Sequence, residues 1–578
     1  MNQSAVLTKE WKLYPADRES LRKYTSYFDK NDSLEIDSLN SVYTELIKHE
    51  ALSDKVRYIS DTKWVLEKDF ILDSSLLKMR SVIKMDSCLS LEINGKNVPS
   101  KEITEYIKEG KNHIKIITSS SFSGPVELLF STECAIENAT LRPVKLDEHT
   151  WCVNFHLTLS SFKSQNIRIV YSLLGETSDK VYPIKEGEVS LTIPLTIPKE
   201  KIELWNISGD GKQKIYTASI KVGEIEFTRR TAFRTTEIRN GSLYVNGKEI
   251  FIMGAIWPIT IYPDKRRYEK LLQNAKSQNI NALYIPSGHE NHEFYFMTDV
   301  MGIIVLHNEE NPSFLFHPSF MTGESNIDIY EARVHSETGL DKCLDAISLE
   351  RWVLKSRSDN MKHGVLYDNI LSTMTIDGEL RPSHYAARRF FADLVPIMYK
   401  DGDKIRVFIS NDGDKDEECE VKLRFMTYEG VKKNEYFYNV KAPSHTALEV
   451  ANVNLRNKDT KKEFATVRVE SSKIHRELTL LLDDIATLPF IRPAITYTIR
   501  VINDNTVSIR LKTDKPAFAV HLLLDGFDGS FSDNFFELFA DSEKSMVFSS
   551  SSRITEKDVM DNLKIYDISI AKDIKYNS

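Results

Sequence analysis

The sequence lacks most of the features that mark a special environment. No run of about 18 or more apolar residues occurs, so no segment is long enough to cross a bilayer as a helix, and no membrane partner is expected. The opening stretch, MNQSAVLTKEWKLYPADRES, has no basic region leading into an apolar core, so no secretory signal is read there. Cysteine is scarce. The five cysteines (Cys88, Cys134, Cys152, Cys343 and Cys419) are scattered and never in CxxC spacing, which suits free thiols in a reducing compartment and a cytoplasmic protein. Positive charge is not in excess: the net charge of −8 argues against a nucleic-acid surface. Neither GxxxxGK[ST] nor GxGxxG is present, and no serine or cysteine stands in a nucleophile-elbow context, so no cofactor is expected. His289-Glu290-Asn291-His292 lacks the i, i+4 spacing that sets two imidazoles on one helix face, and no metal is expected either.

What is present is an ordinary globular balance, 41% hydrophobic and 28% charged, over 578 residues, enough for three to five domains. Up to about residue 130 the pattern is strand-like. Large and charged residues alternate over 63–70, and Asn94-Gly95 between alternating runs is a strong hairpin signal. A jelly-roll β-sandwich over 1–136 follows. Short strands at about ten-residue spacing then predict immunoglobulin-like sandwiches over 137–236, 394–488 and 489–578. Between them, 237–393 is the helix-rich part. Tyr268, Leu271, Leu272 and Ala275 recur at helical spacing, a strand is read over 280–285, a second helix over 293–300 and a strand over 302–306. A further helix is read over 340–357. This β-α-β-α-β alternation is the mark of parallel sheet with crossover helices.

Local motifs give the region a family. Arg230-Thr-Ala-Phe-Arg234, Leu243-Tyr-Val-Asn246-Gly247-Lys248 and Phe251-Ile-Met-Gly254-Ala255-Ile-Trp257-Pro258 resemble the approach to the barrel, and its first strand, in β-mannosidases of glycoside hydrolase family 2. Residues 279–284 and 294–305 resemble that family's second and third strands. Glu350-Arg351-Trp352 and His384-Tyr-Ala-Ala-Arg388-Arg389-Phe390-Phe391 resemble the barrel's end, and Phe531-Ser-Asp-Asn534-Phe-Phe536 resembles the last domain. The resemblance implies a (β/α) TIM-type barrel over 237–393.

That barrel is too short. An eight-stranded one needs about 250 residues and rarely fewer than about 200, whereas residues 237–393 number 157. By the resemblance, strands one to three end near Leu306, strand eight falls over 362–367, and strands four to seven have no counterpart. About four of eight strands remain. The family's acid/base follows strand four and its nucleophile ends strand seven, and a retaining glycosidase needs both. No catalytic residue is therefore expected. Two glutamates imitate the lost motifs. Asn308-Glu309 looks like the acid/base pair, but its distance to His317-Pro318 places it after strand three. Ser336-Glu337-Thr-Gly339 imitates the nucleophile's motif, but its distance to Trp352 matches a helix start with an N-capping serine. If the protein is active, Glu309 is the acid/base and Glu337 the nucleophile of a β-mannosidase-type enzyme. Trp257 is the candidate for a sugar platform or, equally, a core aromatic. The expected partners are a carbohydrate and, through the open half-barrel, a second copy of the chain or a partner subunit whose enzyme it completes.

Overall fold

The structure is a computed structural model that describes residues 2–569, apart from 308–364 and shorter stretches, chief among them 37–41, 53–61, 258–264 and 286–289. Among the described residues no helix is long and apolar enough to cross a membrane.

The first unit is a sandwich of a six-stranded and a three-stranded sheet around one core that holds Trp11, Trp64, Ile114 and Ile116. The Asn94-Gly95 turn takes φ of 52° and 78°, which a two-residue hairpin requires, and joins Ser90–Ile93 to Lys96–Asn97. The second unit packs three strands on four around Trp151, Phe155, Tyr171 and Phe233. Its first strand is Cys134–Lys145 and so runs through the break placed at 136/137 by the sequence. Its register shifts between Ile136 and Asn138, which interrupts the alternation that would have carried the strand across.

A three-stranded antiparallel meander (Thr236–Arg239, Ser242–Val245 and Lys248–Ile250) leads to the central sheet. Its strands are β1 (Met253–Ile256), β2 (Ala282–Ile285), β3 (Ile304–His307) and β4 (Val365–Asn369). They are parallel and lie in the order β3-β2-β1-β4. Helix α1 (Lys265–Ser277) joins β1 to β2 and α2 (His292–Met301) joins β2 to β3. Tyr268, Leu271, Leu272 and Ala275 are wholly buried along one face of α1, as their spacing predicts. The helix ends at Ser277, and Asn279, two residues on, has a positive φ of 62°, which suits a left-handed stop.

Both faces of the sheet are covered near its start, as parallel sheet requires. Met253, Ala255, Leu283 and Ile285 share a core with α1 and α2. Ala282, Ile304 and Leu306 pack on the other side with Trp205, Leu243, Val245 and Ile250, so the meander closes that face. Gly302, before β3, has φ +76°, and a Cβ there would lie 2.6 Å from the backbone nitrogen of Ser208, which donates to the Gly302 carbonyl at 3.0 Å. Only glycine fits that approach.

Helix α3 (Pro382–Phe390) follows β4 and is buried over most of its length. The next unit again packs three strands on four, and the last joins a four-stranded to a three-stranded sheet. Tyr428, Phe464, Phe490, Phe518 and Phe539 form the aromatic cluster between these two units. The last unit also carries helix α4 (Glu556–Asn562), capped by Thr555, which was not read from the sequence.

Candidate active site

In parallel α/β sheets, sites form beyond the carboxyl ends of the strands. Trp257 stands there, one residue past β1, and its backbone N–H donates to the Tyr284 carbonyl at 2.8 Å. Its indole is wholly buried and meets Phe294 at 4.8 Å and Tyr268 at 6.3 Å between ring centres. The indole N–H donates to Glu290 Oε1 at 2.9 Å, and the Tyr268 hydroxyl donates to the other carboxylate oxygen in a short contact. The Glu290 backbone N–H in turn donates to the Tyr295 hydroxyl at 3.2 Å. Burial, and then the charge of Glu290, push the Tyr268 phenol far above its ordinary pKa, so it remains a donor.

One carboxylate thus ties the strand end at Trp257 to α1 and to the approach to α2. Both of its oxygens are engaged as acceptors from aromatic donors, which suits it to positioning rather than to attack on a sugar. Glu290 was missed as a site residue. In the sequence it stood only inside His289-Glu290-Asn291-His292, examined for zinc spacing. The available signal was a lone acidic residue between a strand and an aromatic helix, Glu293-Phe294-Tyr295-Phe296. Glu309 and Glu337 lie outside the described residues, as does the helix read over 340–357. Among the described residues no group of three histidine, cysteine or acidic side chains is placed to hold a metal ion.

Helix α3 and the segment 531–536 touch each other. Arg389 of α3 donates to Asp533 at 2.6 Å, to the Asn534 carbonyl at 3.1 Å and to the Phe535 carbonyl at 3.0 Å. Asn534 is buried and pairs with the backbone of Leu522 through both its amide oxygen and its amide nitrogen. Next to it, burial pushes the His384 imidazole down to about 3, helped by Arg388 and opposed by Asp533. These contacts fasten the central unit to the last one.

Residues 490–570 match a family described as the Ig-fold domain of mannosidases, Ig_mannosidase. A probable β-mannosidase of Caenorhabditis elegans is 26% identical over 137 residues, 20% of this chain. A β-mannosidase of Rattus norvegicus is 28% identical over 174 residues, 26% of this chain. Those matches span 15% and 20% of the two relatives' own lengths. The crystal structure of a β-D-mannosidase from Dictyoglomus thermophilum superposes with a TM-score of 0.77 at 16% identity, over 98% of this chain and 99% of that one, a likeness of fold. In short stretches of sequence, in its last domain and in overall fold, the chain is thus similar to β-mannosidases.

Proposed function

We propose that this protein is a catalytically degenerate relative of the β-mannosidases that binds carbohydrate or serves as an interaction scaffold, and that its central sheet is the remnant of a TIM-type barrel. The observation that carries the reading is the pairing of β4 directly on β1, with β3 at the far edge. This is the order of strands three, two, one and eight in a closed barrel. Only the 57 residues numbered 308–364 run between β3 and β4. A strand-helix-strand unit takes roughly 30 residues or more, so this length does not hold four further strands with their helices. The missing strands are those after which the family carries its acid/base and its nucleophile.

Trp257 belongs to this reading as the aromatic that a bound sugar would meet at the carboxyl end of the sheet. Its enclosure by Phe294, Tyr268 and Glu290 favours its role in the core. A second copy of the chain, or a partner subunit, is proposed to lie along the sheet's end strands, since open strand edges invite pairing. Hydrolysis of an aryl β-mannoside tests the reading. Turnover lost in Glu309→Gln and Glu337→Gln would establish an active retaining β-glycosidase in its place.

A further inference from the structure

A cleft of about 290 Å³ opens at the other end of the parallel sheet, where β1 and β2 begin. Its walls come from three parts of the chain: the linker at 207–209, the turns leading into β1 and β2, and the edge of the unit that follows α3. Ionisable side chains of both signs line it, with Lys276 and Asp393 among them. Several of these are already committed. Lys248 pairs with Asp414 at 2.6 Å, His445 with the same carboxylate at 3.4 Å, and Glu249 accepts from the Tyr244 hydroxyl at 3.1 Å. Among the described residues the Lys276 ammonium and the Asp393 carboxylate make no ion pair or hydrogen bond of their own, and both are exposed. Phe251 is half-buried and adds an apolar wall.

We propose that this cleft is a binding site for a neutral saccharide of one or two rings. A ligand of either net charge would bring the wrong sign against part of the charged lining. A sugar hydroxyl donates and accepts at once, so the several hydroxyls of a saccharide can meet ammonium and carboxylate groups alike. Hydrogen bonds to charged partners are also the stronger kind. The C–H face of a pyranose ring packs on an aromatic wall such as Phe251. The volume lies just under the ~300–1,000 Å³ usual for small-molecule sites, which suits a short sugar rather than a polysaccharide chain. The site is separate from the strand ends where hydrolysis would take place, so it stands whether or not the protein turns over a glycoside.

Calorimetric titration of the full chain with methyl β-D-mannoside and with β-1,4-mannobiose tests it, with D-glucuronate and D-glucosamine as charged controls. Saturable binding of the neutral sugars in the millimolar range is expected. Lys276→Met and Asp393→Asn should each weaken it roughly tenfold, as expected for loss of a charged hydrogen-bond partner. Both positions are exposed, so circular dichroism should match the parent. No saturable heat, tighter binding of either charged sugar, or parent-like affinity in both cleft variants would overturn the proposal.

Discussion

Trp257 hands its indole proton to Glu290 across 2.9 Å, so the residue that leaves the first parallel strand is held by the residue that approaches the second crossover helix. The Tyr268 hydroxyl takes the other carboxylate oxygen. Glu290→Ala would leave two buried donors without an acceptor, at a cost of about 1–3 kcal/mol for each. Glu290→Gln keeps one acceptor oxygen and should lose about half as much. Urea unfolding followed by tryptophan fluorescence reads the difference. Parent-like midpoints in both variants would contradict the contact.

The fourth and fifth units are pinned by a buried arginine. Arg424 has no exposed surface and reaches Asp541 at 2.7 Å and Glu477 in a shorter contact, while Arg468 holds Glu477 from the side at 2.9 Å. Arg424→Met strands two acids that Arg468 alone cannot balance, and breaking such a buried pair costs about 3–5 kcal/mol. Lys432, half-exposed beside the same Asp541 at 3.4 Å, should matter by no more than about 0.5 kcal/mol when replaced by Met. Calorimetric unfolding of the two variants should separate them clearly, and equal losses would contradict the assignment.

The stability of α3 should depend on pH. Burial keeps His384 neutral in the folded chain down to about 3, against 6.5 for a free imidazole, with Arg388 lowering and Asp533 raising it. Between those values the unfolded chain binds the proton and the folded chain does not. Stability therefore falls as pH drops from about 6.5 towards 3, by up to about 1.4 kcal/mol per pH unit from this group. Carboxylates add their own slope, so the reading is the difference between parent and His384→Gln. Chemical denaturation at several pH values from 7 to 4 should show the smaller slope in the variant, and equal slopes would place a charged imidazole in the folded state.

Periodicity made the central unit legible. Tyr268, Leu271, Leu272 and Ala275 marked α1 within a few residues, and the order of strands followed from which motifs were present. Strand starts were read early: 280–285 shortened to Ala282–Ile285 and 302–306 moved to Ile304–His307, because the left-handed turns at Asn279 and Gly302 come just before the strands. Asn281 spends its side chain on the backbone of Phe251 and Met253. The Trp257–Glu290–Tyr268 cluster was not legible, since its members stand 11 and 22 residues apart and no periodic pattern links a loop carboxylate to a helix phenol. Nor was the cleft between units, which depends on how Asp393 and Asp412 return beside the start of β1.

Assembly gives a further test. With β3 and β4 as the end strands among the described residues, a two-fold pairing of these parallel sheets is the simplest self-complementary arrangement. Light scattering at micromolar concentration should then give twice the mass of the 66.5 kDa chain. A monomer mass throughout would contradict this pairing.

The proposal that the barrel has lost its catalytic carboxylates meets its most direct test in the release of p-nitrophenol from p-nitrophenyl β-D-mannoside by the purified full chain. A rate equal to the buffer background is expected, and the same rate in the Glu309→Gln and Glu337→Gln variants. Turnover well above background that disappears in both variants would contradict it, and would make the protein an active retaining glycosidase built on a shortened barrel.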